Sequence, residues 1–495
     1  MHRRDFIVSS SILAGASVLM DLLSIPTVRV LAGDDPLVES FRSDPDNLAD
    51  LLDTVLKGGA AYADVFLEQA ISRHIRFIDG QLAETEFLLR EGVAVRGIEG
   101  DRTVFAWSDT FRRDSARDAA RDVRRSLHTG ERRVKGQRLS RFPLQDFGAI
   151  ITRKKLERTG DSELFAVLAN IHSSAVLPSN LIVRDEIEYT DTVRRIMVAT
   201  SEGRFVTDVQ PSIDLMLRST ARQGSSVSIS SRRLGHRCGI DFLQNPTVQH
   251  HARENAASAV ENLSIRTAPF GRFPVVLAPR AAAALAQFWF HRILDPLAPS
   301  PDDEYPPHLR LVDNGRLQNG RGSCHIDDEG FGTKRSVFVE NGRMIDRPAL
   351  LNHPATNHSG SGHGFRPSYP NPPQIAPTNT VIESSLATDS AISRLLNRGI
   401  VITDMVPLAP DQSRSTARFT ASSGWWIDSG NRQYPLAPFI LSAPFPALLH
   451  AIDHVGSDPD LIPACYGTPP ITVAFGAPTL RIAAADIRPM QETFS

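Results

Sequence analysis

Phe273 to Asp295 reads FPVVLAPRAAAALAQFWFHRILD, and the rest of the chain is organised around it. Val275, Val276 and Leu277 make a short apolar run of β type. Pro279 follows where its missing N–H costs a helix nothing, and Leu285, Phe288, Trp289 and Ile293 then recur at three- and four-residue steps. The pattern predicts a strand feeding a buried helix.

At 495 residues and 41% hydrophobic, the chain is long enough for a large core in two or more domains. Its 54 Lys and Arg are interspersed with 56 Asp and Glu, giving a formal charge of −2. Such a balance gives no long-range field for a nucleic acid. At the start, Arg3-Arg4-Asp5-Phe6-Ile7 precedes an apolar run to Leu23 rich in Ser, Ala and Gly, which resembles a twin-arginine signal. Asp21 argues against a stable membrane span, and Val30-Leu31-Ala32 supplies a small-residue cleavage site. Residues 1–32 are therefore read as a signal, 33–46 as a linker, and the mature chain as periplasmic or otherwise exported. Cys238, Cys324 and Cys465 are too few and too scattered for a disulfide framework.

Asp46 to Val55 has the period of an amphipathic helix ended by Gly58-Gly59. Strand patterns follow at Asp64–Gln69, His74–Asp79, Glu84–Arg90, Val93–Ile98 and Thr103–Ser108, with turns at Asp79-Gly80 and Glu99-Gly100. Ser115–Leu127 and Ser162–His172 read as helices, the first carrying an Arg/Asp ladder suited to a solvated face. Strands return from Leu181 to Ser219 around a turn at Thr200–Gly203, and Thr247–Leu263 reads as a helix with His250 and His251 on its surface. After the central strand and helix come strand signals at Leu311–Asp313 and Lys334–Asn341. They flank Cys324–Gly330, where Asp327, Asp328 and Glu329 read as a charged turn. An irregular loop, His353–Asn379, precedes short strands over Ile400–Ile487, with turns at Ser429–Asn431 and Gly476 and a helix around Pro446–Ile452. That spacing predicts a barrel-like or sandwich-like sheet.

GGAAYADVFLEQ (58–69), FIDGQLAETEF (77–87), EGVAVRGIEGDRTVFAWSD (91–109) and the block from Ile462 to Ile482 around Cys465 closely resemble the TldD/PmbA family of metallopeptidases, and the likeness runs from about residue 47 to 487. The resemblance implies an α+β fold of two domains. The first, 47–268, is a helix-plus-sheet region, and the second, 269–495, is a C-terminal domain of curved, barrel-like antiparallel β-sheet. It also implies two-fold dimers, homodimeric or with a second TldD/PmbA-like subunit, around a cavity that admits unfolded peptides.

In that family the central helix carries His-Glu-x-x-x-His, two imidazoles binding zinc and the Glu acting as general base, while a cysteine at the position of Cys465 is the third ligand. Here the aligned hexapeptide is Ala286-Gln287-Phe288-Trp289-Phe290-His291. An amide has no basic site near neutrality, so Gln287 at the general-base position cannot take a proton from metal-bound water. Ala286 offers no ligand atom. A five-residue separation rotates the second ligand by about 140° on a regular helix, so the family site needs a distortion that Phe290 would resist. His291 is read as a partly buried helix-end histidine whose charge the macrodipole favours, and Cys465 as a small buried side chain. The metal candidates that remain are His291 and Cys465, joined by the loop histidines His353, His358 and His363. The expectation is an exported homologue with a degenerate zinc motif, a peptide-binding or partner subunit with no cofactor. The alternative is an active zinc peptidase with a site rebuilt from those five residues.

Overall fold

The computed structural model describes residues 8–10, 45–127, 144–149, 156, 159–176, 179–294, 304–351, 360–384, 387–388, 396–408 and 416–490. The signal and linker read at residues 1–44 lie outside the described residues, save a three-residue strand β1 (Val8–Ser10).

The first half is one sheet. Its strands are β2 (Tyr62–Ile78), β3 (Gln81–Glu99), β4 (Arg102–Ser108), β5 (Gln145–Ala149), β6 (Ile182–Thr200), β7 (Phe205–Gln223) and β8 (Ser226–His236). The order is β1-β3-β2-β6-β7-β5, with β4 on β3 and β8 on β7. Sequence patterning divides β2 and β3 into two strands each, but both run unbroken for 17 and 19 residues. In β2 the charged residue at the expected break, Arg73, keeps its place because Asp191 (2.6 Å) and Asp161 (2.9 Å) pair with it. In β3 the break falls at Gly92, which stays in the ladder because the Tyr369 ring lies so close that a Cβ would stand 2.4 Å from it. Asp79 and Gly80, both at positive φ, make the two-residue turn that joins β2 to β3.

Helices α1 (Pro45–Leu56) and α2 (Arg113–Ser126) cover one end of the sheet, where Leu48, Leu52 and Val55 meet Val65, Val93 and Val95. The other end is covered by α3 (Asp161–Val176) and α4 (Pro246–Glu261), with Leu164 and Leu168 among Ile75, Tyr189 and Leu215. The Arg/Asp ladder of α2 is exposed, with Asp118 and Arg121 paired at 2.9 Å three residues apart.

The second half opens with β9 (Gly271–Leu277) and α5 (Pro279–Leu294), as the quoted stretch predicts. A six-stranded sheet follows. It uses β10 (Leu309–Asn314), β11 (Arg335–Glu340) and β12 (Arg343–Met344), then β15 (Asn379–Ser384) after a small ribbon, β13 (Gly364–Phe365) with β14 (Gln374–Ile375). After β16 (Ala387–Thr388) come β17 (Gly399–Pro407), β18 (Thr416–Asp428), β19 (Asn431–Pro435), β20 (Phe439–Pro444), α6 (Phe445–His450) and β21 (Ile452–Gly456). The chain ends with β22 (Asp460–Tyr466), β23 (Ile471–Ala477) and β24 (Leu480–Pro489). The six-stranded order is β12-β11-β10-β15-β23-β22. Strands β9, β17, β18, β20 and β24 pair in series, and β24 returns to β9, closing a five-stranded barrel. Gly476, expected in a turn, lies inside β23, where a Cβ would stand 2.7 Å from the Asp460 carbonyl of β22. The loop expected at residues 353–379 carries the β13–β14 ribbon.

Helix α5 lies between the six-stranded sheet and the barrel. Ala281, Ala282, Leu285, Ala286, Trp289, Phe290 and Ile293 are all fully buried. A helix apolar around most of its circumference belongs in such a place.

Candidate functional site

The least buried stripe of α5 carries Arg280, Gln287 and His291. Arg280 donates to Asp404 at 3.0 Å. Phe290 packs against Tyr466 (5.6 Å between centroids), Phe338 (5.8 Å) and Phe475 (6.4 Å), and Trp289 against Tyr305 (5.3 Å). Ala286, at the position of the family's first histidine, is 0% exposed within this core. His291 stacks on Tyr466 at 4.7 Å and 23°. Its outer side is open, but removal of water from its inner side holds its pKa below the ordinary value. The expected charge stabilisation by the helix end is therefore not the dominant effect: desolvation wins.

Cys465 is exposed on the edge strand β22, not buried as its local sequence implies, and Arg233 Nη1 of β8 donates to its Sγ at 3.5 Å. His363 is buried, with Nε2 at 3.1 Å from Asp313 and Nδ1 at 3.0 Å from the Ser361 carbonyl. Both its ring nitrogens face oxygen acceptors. His353 and His358 lie outside the described residues. Among the described residues no three His, Cys, Asp or Glu side chains gather in a group able to hold a metal. With no donor at 286, an amide at 287 and His363 committed elsewhere, the described donors do not fit zinc, which takes three or four protein ligands.

The CHIDDEG segment forms the charged turn expected of it, closed by the Gly330 N–H on the Asp327 carbonyl, but that turn is buried. Asp327, Asp328 and Glu329 are 0% exposed and form the joint between the two halves. Arg96 of β3 donates to Asp64 (2.6 Å) and to Glu329 (2.7 Å). Arg194 of β6 donates to Glu68 (2.5 Å) and to both oxygens of Asp328 (3.0 Å each). Arg366, beyond β13, reaches Asp64 at 3.2 Å over the Phe66 ring. Asp327 accepts the backbone N–H groups of Glu329, Phe331 and Gly364. Each guanidinium is desolvated, and burial brings Arg366 down to about 10.

Burial alone would raise the Glu68 carboxyl, but the charges of Arg194 and Arg90, with hydrogen bonds from Arg194 and Ser368, hold it below its ordinary 4.5. A depressed carboxyl contributes stability that is present above 4.5 and lost as pH falls through the folded value. Urea midpoints should therefore drop below pH 4.5, and Glu68→Gln should flatten that drop while lowering the midpoint at pH 7. An unchanged acid slope in the variant would remove Glu68 from the acid-sensitive set.

Beside α5, where β8 of the first sheet meets β22 of the second, lies a small cleft. His250 is exposed as expected, but His251 is partly buried and accepts from Arg232 at 2.8 Å. Arg232 also pairs with Glu254 at 2.5 Å. The residues that sequence reasoning missed are the arginines. Arg96, on the otherwise apolar Ala94/Ile98 face of its strand, was a visible signal for the joint, and Arg232-Arg233 in β8 was one for the cleft.

A buried helix between a closed barrel and a second sheet, behind an N-terminal sheet of very long strands, makes a mixed α+β architecture of curled antiparallel sheets. The chain matches the family models for PmbA/TldA metallopeptidase domain 1 over residues 63–127, the central domain over 154–263 and the C-terminal domain over 302–488. It belongs to the PmbA/TldD family. It is 24% identical over 418 residues to a metalloprotease TldD homologue of Buchnera aphidicola, covering 80% of this chain and 85% of the relative. The TldD homologue of Haemophilus influenzae is 23% identical over 415 residues, with 79% and 84% covered. Among solved structures, a proposed modulator of a DNA gyrase from Thermotoga maritima superposes with a TM-score of 0.70 at 18% identity, covering 91% of this chain and 99% of that one. TldE from Thermococcus kodakarensis gives 0.70 at 15%, covering 89% and 100%.

Proposed function

We propose that this is a non-catalytic member of its family, a peptide-binding or partner subunit. The observation that carries the reading is α5 itself: a fully buried Ala286 and an amide, Gln287, stand where the metallopeptidase chemistry needs an imidazole and a carboxylate. The fold supports peptide capture without a metal. β22 ends its sheet and β8 pairs on one side only, so each offers backbone groups to which an extended peptide can add as a strand. The family resemblance supports a two-fold partner, a second copy or a related subunit with an intact zinc helix. The twin-arginine-type start supports export to the periplasm. Among the described residues no helix is long and apolar enough to cross a membrane.

The test is metal content and turnover of the mature protein purified without a His tag or added metal, beside Cys465→Ala. The expected result is sub-stoichiometric zinc in both proteins and no cleavage of unfolded casein with added zinc. Stoichiometric zinc lost in the variant, or zinc-dependent cleavage, would overturn the non-catalytic reading.

A further inference from the structure

We propose that the cleft between β8 and β22 is a carboxylate-binding site that seats the C-terminus of an extended peptide, with Arg233 as its anchor. This rests on the peptide-binding reading and names the group it recognises. Two arginines, Arg233 and Arg280, line the cleft, and Arg232 stands behind its His251 wall. Arg232 is balanced by Glu254 and Arg280 by Asp404. Arg233, among the described residues, has only the neutral acceptor Cys465 Sγ, so its charge has no carboxylate partner. Burial and the charge of Arg280 hold Arg232 below its ordinary value, so the wall behind the cleft is already short of negative charge.

The cleft is shaped for a small group. Its cavity is about 50 Å³, walled by Arg233, Arg280, His236 and His251, with Leu461 and Val248 as apolar surface. His251 Nδ1 lies between Arg232 Nη1 at 2.8 Å and Glu254 Oε2 at 3.3 Å, which fixes the ring as one wall of the cleft. The single wall carboxylate, Asp460, stands at the exposed start of β22 with one oxygen engaged by the Leu461 N–H. It opposes an anion at that end, and Arg233 lies toward the other, beside Cys465.

The position is what points to a peptide terminus. Arg233 sits next to the free edge of β22, so a strand added there carries its last residue to the guanidinium, whose planar fork matches a carboxylate. Arg233 thus places a cation beside Cys465, and the site holds a carboxylate without hydrolysing a bond.

Cys465 gives a built-in reporter, because Cys238 and Cys324 are buried. In alkylation the thiolate carbon bond forms, iodide leaves and the thiol proton passes to solvent. Iodoacetate carries a carboxylate and iodoacetamide does not. Their rate ratio at Cys465 should favour iodoacetate by about tenfold or more over the ratio in urea-unfolded protein. Arg233→Gln should abolish the preference, Arg233→Lys should retain part of it, and N-acetylalanine should slow alkylation where its amide does not. A ratio equal to that of the unfolded chain overturns the site.

The second arm is anisotropy of a fluorescein-labelled unfolded peptide as free acid and as C-terminal amide. Tighter binding of the acid, lost in Arg233→Gln with amide binding unchanged, supports the assignment. Equal binding of acid and amide overturns it and leaves peptide binding standing. An amidated peptide ending in Glu that binds as tightly as the free acid overturns the C-terminal assignment in favour of a side-chain carboxylate. If neither form binds, the peptide reading fails and with it the peptide terminus as ligand.

Discussion

Arg96→Met is expected to destabilise the folded chain by about 3–5 kcal/mol, because it strands the fully buried Glu329 carboxylate and leaves Asp64 with Arg366 alone. Arg96 is 1% exposed, and its partners Asp64 and Glu329 come from opposite halves of the molecule. Methionine matches the volume but leaves Glu329 without its cation, and its desolvation is then uncompensated. Adding Glu329→Gln should recover part of the loss by removing that charge. The recovery, read as non-additivity in a double-mutant cycle of urea unfolding, measures the coupling across the joint. Limited proteolysis should also show the two halves separating before either unfolds. A loss under about 1 kcal/mol would mean the pair is solvated, as exposed ion pairs are, and the joint would need another explanation.

That joint also shows where sequence reasoning stops. The β9–α5 unit was legible because helical period and strand composition are local, and so was the Asp79-Gly80 turn, whose two positive φ angles select its residues. Asp327, Asp328 and Glu329 read as a charged turn, which they form, but their burial was not legible. Their partners lie 134 residues away at Arg194 and 233 away at Arg96, a pairing no window can display. The burial of His363 was hidden in the same way, since Asp313 stands 50 residues upstream. The exposure of Cys465 is a property of β22 being an edge strand, and edges are set by sheet order, not by the alternation within one strand. That position 286 has no donor atom and position 287 carries an amide, by contrast, is read from the sequence without any structure.

Phe290→Ala is expected to cost about 3–5 kcal/mol, the range for truncating a fully buried aromatic residue. Phe290 is 0% exposed and packs on three rings, so its removal opens a cavity on the side of α5 that faces β22 and β23. The complementary change, Ala286→His, inserts an imidazole where nothing is exposed and should cost about 1–3 kcal/mol by overpacking, with the added penalty of a buried polar ring. If the same filled volume causes both losses, the double variant should be more stable than the sum predicts. Thermal and urea unfolding of the four proteins measures this directly. Ala286→His discriminates most sharply: a metal site that had merely lost a ligand would keep room for it, and the imidazole would be accepted without loss. A clear loss means the aromatic core has closed over the position, and a single substitution cannot rebuild the family's zinc helix in this chain.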